Sequence, residues 1–391
     1  MNLLHIASPA RNPHARPGSQ SATVLMTDHQ TSGKSQAVLE PARREIRYVA
    51  SEGFVPLLSE LGSSLILSTY HAGKVVVLGT HEGRLVCEFH NFELAMGLAL
   101  HPRQLAVGTR HDVWFLQAVG EVASTIEPQG RYDTCLVARR AFHTGTIHGH
   151  EMAFIGDELW IANTLFSCLC TLDEGFHFVP RWKPPFISEI SGPDDRCHLN
   201  GLAIDQTMTG SRVKYVTCLG QTNIAGGWRE SKATGGVLVD VESNEIVARG
   251  LSMPHSPRVY DGRVWVLDSG RGELQTVDVR NGQRTMVERF PGYARGLAFL
   301  GPFAFVALSQ IRETNVFGGL PISQQRGPLK CGIAVVDLRQ GRSVATFEFM
   351  EGVEELFDIK ALPNLRSPAL RGPHLPQDDH APIWIVPPLE S

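Results

Sequence analysis

The chain has 391 residues, of which 42% are hydrophobic and 19% charged, with 36 Lys and Arg against 40 Asp and Glu and a formal net charge of −4. That apolar content excludes a chain disordered throughout, and a charge so small and negative argues against a nucleic-acid partner, whose phosphates are bound by clustered cations. No run approaches the roughly 20 apolar residues of a membrane helix, so no membrane partner is expected either.

Residues 1–45 lack the basic start and apolar core of a secretory signal and read as a flexible leader, with Met26 a second candidate start. The seven cysteines form no CxxC pair, which favours reduced packing residues and a cytoplasmic location. The segment SEGFVPLLSELG (51–62) reads as a short helix or irregular lead-in. SLILSTYHAGKVVVLGTHEGRLVCEF (64–89) then supplies three strands with no good strand before them.

From there the chain repeats itself. AMGLALHPRQLAVGT (95–109), HEMAFIGDELWIANT (150–164), HSPRVYDGRVWVLDS (255–269) and ARGLAFLGPFAFVALS (294–309) each hold a short apolar strand, a turn, and a second strand ending in Thr or Ser. HLNGLAID (198–205) followed by VKYVTCLG (213–220) is the same unit with a longer turn. Third strands follow at 112–117, 168–173, 235–241, 273–279 and 331–338, and fourth strands at 177–182, 245–252, 285–290 and 343–349. Tight turns such as Arg280-Asn281-Gly282-Gln283 join third to fourth.

Four antiparallel strands per repeat, with no helical period between them, describe a β-propeller blade. GVEELFDIKALP (352–363) resembles a first strand with nothing after it. Joined to the orphaned strands at 64–89 it completes a sixth blade, and pairing of the two ends closes the ring and removes its free edges. The expectation is therefore an all-β, six-bladed propeller over 46–362, followed by a Pro-rich tail over 363–391. A seven-bladed ring would need 51–62 as a separate strand.

The loops on one face are short and bland, whereas those on the other are long and chemically loaded: HTGTIHGH, DDRCHLN, SMPHSP, GYARG and EGVEELF. Function concentrates on such loops. Aligned first strands put Met96, His150, Asn200, His255, Arg295 and Phe357 in one column. Two residues earlier, on the same side of each strand, lie Leu94, His148, His198, Met253, Tyr293 and Glu355.

Imidazoles gathered at a channel mouth suit a divalent transition metal, with His150, His198 and His255 as ligands and His148 or Glu355 as fourth ligand or base. Arg295 would stabilise developing negative charge. Asn200, Trp228, Arg229, Arg258, Arg271 and Arg312 stand around the ring as candidate ligand contacts, arginine being suited to carboxylate, phosphate or sulfate. The glycine-rich loop Ile224–Gly236, with an exposed-looking Trp228, could fold over the mouth as a lid or run as an ordinary crossing. The chain has no GxxxxGK[ST], no GxGxxG between strand and helix and no GxSxG, so no nucleotide cofactor and no nucleophile elbow is expected.

The phrases STYHAGKVVVLG, DRCHLNGLA, GGWRESKATGGVL, ARGLSMPHSPR, VWVLDSGRGEL and FGGLPI resemble an uncharacterised bacterial family of conserved hypothetical proteins over about residues 50–362. Some of its members are joined to tetratricopeptide repeats. The resemblance implies a propeller-like fold and carries no activity and no catalytic residues.

Two functional readings stay open. One is a metal-dependent, lyase- or hydrolase-like enzyme acting on a polar or anionic small molecule, sugar or peptide end. The other is a non-catalytic module that binds a ligand or peptide segment at the same mouth, its histidines acting as a structural plug.

Overall fold

The computed structural model describes residues 23–25, 45–207, 210–311, 318–324 and 327–387. The chain divides into two units, residues 43–373 and residues 1–42 with 374–391. In the smaller one, Thr23–Leu25 pairs antiparallel with Trp384–Val386.

The larger unit is a six-bladed β-propeller, each blade built on four antiparallel strands, which run in chain order from the inside out in blades 2 to 6. Blade 1 is composite. Its inner strand, Asp358–Leu362, comes from the far end of the chain and pairs antiparallel with Ser64–Ser68, from Asp358 opposite Ser68 to Leu362 opposite Ser64. Lys74–His81 and Arg84–Asn91 complete it. This is the end-to-end closure that the orphaned segments imply.

Blades 3, 4 and 5 begin at Gly149–Ile155, Leu199–Thr207 and Pro254–Tyr260, and their outer strands are Phe176–Trp182, Ile246–Leu251 and Gln283–Arg289. Blades 2 and 6 begin at Leu98–His101 and Tyr293–Leu300 and carry a fifth strand each. The outer strand of blade 2, Thr134–His143, escapes the repeat pattern because TCLVARRAFH lies beyond a long connection. Pro368–Arg371 then pairs with it in parallel. The chain therefore stays on the ring past Pro363: Asp133 accepts hydrogen bonds from the backbone of Arg366 and Ser367, and the Thr80 amide donates to the Arg366 carbonyl.

On blade 6 the fifth strand is Arg47–Ala50, antiparallel to Arg342–Glu351. The following segment is a helix, Phe54–Glu60, and not a seventh-blade strand. It buries Phe54 and Leu58 against Leu65, Phe305 and Phe347, where blades 1 and 6 meet. All seven cysteines are unpaired, and all but the half-buried Cys87 are buried. No described helix is long and apolar enough to cross a membrane.

Face-to-face packing of blades fills the space between them with strand residues of alternating direction. At the centre the inner strands meet through hydrogen bonds. The Thr or Ser that ends a second strand reaches into the next blade: Ser68 Oγ donates to the Met96 carbonyl at 2.5 Å, Thr164 Oγ1 to Leu199 at 2.6 Å and Ser309 Oγ to Leu356 at 2.9 Å. Between blades 4 and 5 the same link runs in two steps, Thr217 Oγ1 to Asn200 Oδ1 and Asn200 Nδ2 to the Pro254 carbonyl. Gly201 is required by this closeness, since a Cβ there would lie 2.4 Å from Pro257 Cδ and from Thr217 Oγ1.

Two backbone devices aim the central side chains. Leu94, His148, His198 and Met253 all take left-handed φ values of 47–50° as the chain enters blades 2 to 5, a conformation that costs non-glycine residues about 1–3 kcal/mol and clusters at functional sites. Immediately after, the inner strands bulge, between Gly149 and Met152, Leu199 and Gly201, His255 and Arg258, and Ala294 and Leu297. Bulges re-aim side chains, and these turn His150, Asn200, His255 and Arg295 at the hub.

Candidate functional site

The long loops enclose a cleft of about 620 Å³ at the mouth of the ring, within the usual range for small-molecule sites. His148, His150, His198 and His255 all line it, with Arg295, Glu355, Trp228, Tyr293 and Phe357. Imidazoles from three separate blade entrances are thus brought to one opening.

Each of three imidazoles is held through Nδ1. That of His198 lies 2.8 and 3.0 Å from the two carboxylate oxygens of Asp195. That of His150 lies 2.7 Å from Thr164 Oγ1 and 3.2 Å from the His148 carbonyl. That of His255 lies 2.9 Å from the Met253 carbonyl and 3.1 Å from Ser269 Oγ. The rings of His150 and His198 meet edge to face at 4.8 Å.

Asp195 is buried and shared. It also accepts a 2.9 Å hydrogen bond from Trp228 Nε1, whose indole lies 4.5 Å from the His198 ring, and it pairs with Arg229 at 3.4 Å. The glycine-rich loop is thereby tied down over one side of the mouth, with the Gly226 amide donating to the Asp194 carbonyl.

Opposite, Arg295 sits 3.4 Å above the Phe357 ring and pairs with Glu355 at 3.0 Å. Glu355 also meets His71 Nδ1 at 2.5 Å. Arg295 Nε is buried with no partner among the described residues. Its charge matters for the imidazoles. Burial, followed by the neighbouring His198 and Arg295, lowers the pKa of His150 well below 6.5, and burial followed by Arg295 does the same for His255. His148 is lowered by burial and then by His198. Burial thus favours the neutral form of all three rings.

Beneath the cleft lies a space of about 10 Å³, bordered by Glu151, Asn200, Ser256 and Asp358, enough for one water. Its carboxylates are committed to the ring: Glu151 Oε2 accepts from the Leu202 amide and Asp358 Oδ2 from the Leu98 amide.

Several expected ligand contacts are placed otherwise. Asn200 spends both ends of its amide on the blade 4 to blade 5 link. Arg258 forms a buried ion pair with Glu151 and donates to the Leu297 carbonyl, because its strand turns it into the channel. Arg271 pairs with the fully buried Asp268 at 2.7 Å; neither it nor Arg258 lines the cleft. Trp228, expected to be exposed, is 1% exposed because its indole packs on His198. Arg229 is at the rim, and Arg312 lies outside the described residues. As for the expected metal ligands, no choice of ring nitrogens brings His150, His198 and His255 all within 4.8 Å of one another.

Asp195, Tyr70 and His71 were not expected at the site. Asp195 had a signal in the sequence, an acidic residue three before His198 in DDRCH. Tyr70 and His71 lie in TYHAGK, the loop between the second and third strands of blade 1, which belongs with the long, chemically loaded loops of the same face.

No match to the chain is found among curated proteins. Among solved structures it is similar to a chain of the nidogen/laminin complex, with a TM-score of 0.50 and 10% identity over 77% of this chain and 99% of the other. It is also similar to a Bacteroides caccae protein of unknown function, with a TM-score of 0.45 and 11% identity over 77% and 98%. At 10% identity the likeness to the nidogen/laminin chain speaks to fold alone. A family model matches residues 52–370, so the chain belongs to the family described as a domain of unknown function, DUF4915.

Proposed function

We propose that the mouth of the ring holds a small polar or anionic molecule and acts on it by acid–base chemistry. The observation that carries this reading is the Asp195–His198 pair opening on a cleft that also holds Arg295. A carboxylate on Nδ1 fixes the tautomer and orientation of an imidazole and leaves Nε2 to exchange protons with a bound molecule. In this reading His198 takes or gives the proton, Asp195 positions it, and Arg295, steadied by Glu355, stabilises negative charge that develops on the ligand. His148, on the same opening, serves as the second proton-transfer group.

The test is to incubate the protein with mixtures of small hydroxylated and carboxylated metabolites and follow their consumption by NMR. A component should disappear with the wild type, and His198→Gln should slow this by about 10²- to 10⁴-fold while leaving the fold intact. A ligand that binds and is never consumed overturns the enzyme in favour of a binding module.

A second reading keeps a divalent metal. Its support is that all three imidazoles have Nδ1 engaged and Nε2 left over, the orientation that hydrogen-bond partners behind a ligating histidine impose on it. An ion would have to draw the rings together. Metal analysis of protein purified without a nickel column, and melting with added Zn²⁺, Mn²⁺ or Ni²⁺, decides it: no bound metal and no shift removes the metal.

A further inference from the structure

We propose that the molecule held at this mouth carries a carboxylate, which docks side-on against Nε and Nη2 of Arg295. The inference deepens the acid–base reading by naming the charged group of its substrate, and it rests on the cleft being the site.

Arg295 is buried at the hub and borders both the cleft and the one-water space beneath it. A guanidinium holds five N–H donors in one plane. Among the described residues this one spends a single donor, Nη1, on Glu355 Oε1 at 3.0 Å. Its Nε is buried without a partner, and Nη2 donates to no described residue. A donor shut away from water with nothing to donate to costs its full desolvation, so this edge of the fork calls for an acceptor. Elsewhere the chain shows what that edge takes. Arg280 closes Nε and Nη2 on the carboxylate of Asp278 at 3.0 and 2.9 Å, and Arg339 does the same to Asp337 at 3.0 and 2.8 Å. Two parallel hydrogen bonds of this kind are the geometry in which arginine recognises a carboxylate. At Arg295 no described residue fills the edge, and Phe357 closes one face of the fork at 3.4 Å.

Charge decides between oxyanions. The carboxylates that line the cleft, Asp194, Asp195 and Glu355, are matched by Arg196 at 3.0 Å, Arg229 at 3.4 Å and Arg295 at 3.0 Å. A phosphate dianion would bring two charges to one guanidinium that already has a carboxylate beside it. A carboxylate brings one, spread over two oxygens in a plane that matches the two open donors. Glu355 is then the ligand's competitor. Its Oε1 takes Arg295 and its Oε2 meets His71 Nδ1 at 2.5 Å, so its negative charge stands next to the place the ligand's would occupy. Met96, Leu165 and Met253 supply apolar wall for the rest of the molecule.

The experiment is calorimetric titration of the full chain near neutral pH with three series, each a carboxylate, its amide and a phosphate on a similar body. They are D-glucuronate, D-glucuronamide and D-glucose 6-phosphate; phenylacetate, phenylacetamide and phenyl phosphate; L-lactate, L-lactamide and sn-glycerol 3-phosphate. At least one carboxylate should bind about tenfold or more tightly than its amide and its phosphate. Arg295→Lys keeps the charge and removes the two-donor edge, and should weaken that binding about tenfold. Glu355→Gln keeps an oxygen for Arg295 and removes the competing charge, and should tighten it; misfolding cannot mimic a gain in affinity. Melting curves establish that each variant is folded, and if Arg295→Lys is not, Glu355→Gln decides alone. Silence from all three carboxylates overturns the proposal, as does an amide or phosphate that binds as well as its carboxylate. So does wild-type affinity in folded Arg295→Lys, or affinity unchanged or reduced in Glu355→Gln. If an amide or phosphate is turned over with dependence on His198 while no carboxylate binds, the acid–base reading survives and the carboxylate falls. If a carboxylate binds as described and nothing is ever consumed, the carboxylate stands and the catalytic reading falls.

Discussion

Asp195 serves His198 and Trp228 at once. Asp195→Asn keeps the volume and replaces an obligate acceptor with a group that can present either end to the ring. Turnover of whichever ligand is identified should fall by about a hundredfold or more, with binding little changed, because the base loses its fixed tautomer. Steady-state kinetics separating kcat from KM check this; loss confined to KM would assign Asp195 to binding. Arg258 and Arg271 should behave differently. Arg258→Ala leaves the buried carboxylate of Glu151 with only Lys360, at 4.0 Å, as a cationic neighbour, and should cost up to about 3–5 kcal/mol of stability by urea unfolding, with ligand affinity unchanged in the folded fraction.

The imidazoles also set a pH dependence. His150 and His255 have folded pKa values well below 6.5, so on acidification the unfolded chain takes up their protons first. Stability contributed by keeping them neutral is complete above about 6.5 and declines as pH falls below it, by up to ~1.4 kcal/mol per pH unit for each ring. Chemical denaturation across this range should show the decline, and His255→Phe should make it shallower. A slope unchanged by that substitution would remove His255 as its source.

Among the strands and loops, the recurring device is the hydroxyl at the end of a second strand. Ser309 Oγ donates to the Leu356 carbonyl and accepts from the Leu356 amide, so Ser309→Ala leaves two buried backbone groups unsatisfied. A loss of about 1–3 kcal/mol is expected in the denaturation midpoint, and a neutral result would show that blades 6 and 1 are held by their apolar faces alone. The loop over the mouth has a readout of its own. Trp228 packs on His198 at 4.5 Å, so its fluorescence should respond to ligand entry, and the response should vanish in Trp228→Phe. The bulges and left-handed entries belong to this level too, and their aim accounts for the convergence of side chains no sequence motif joins.

For the ring as one object, closure is the decisive event. The inner strand of blade 1 arrives some 290 residues after its neighbour, as the pairing of Asp358 with Ser68 records, so the ring can form only when both ends of the repeat region are present. A chain ending at residue 357 should fail to give a cooperative unfolding transition, whereas one ending at residue 373 keeps all six blades and should unfold cooperatively. Circular dichroism melts of the two chains distinguish them.

Much of this ring was legible in the order of residues. Strand pairs of fixed spacing ending in Thr or Ser, tight polar turns and two unmatched end segments specify four-stranded blades and a shared one, because strand alternation and turn chemistry are local properties. The same pattern was enough to bring His148, His150, His198 and His255 in from one loop face. Folding in three dimensions was needed to settle which nitrogen of each ring its neighbours engage, that Asn200 and Arg258 are spent on holding blades together, that Asp195 joins the site and that Pro368–Arg371 returns to blade 2. Those outcomes depend on contacts between blades, and a side chain's partner across a blade boundary is set by the packing of segments that carry no record of one another in their local pattern.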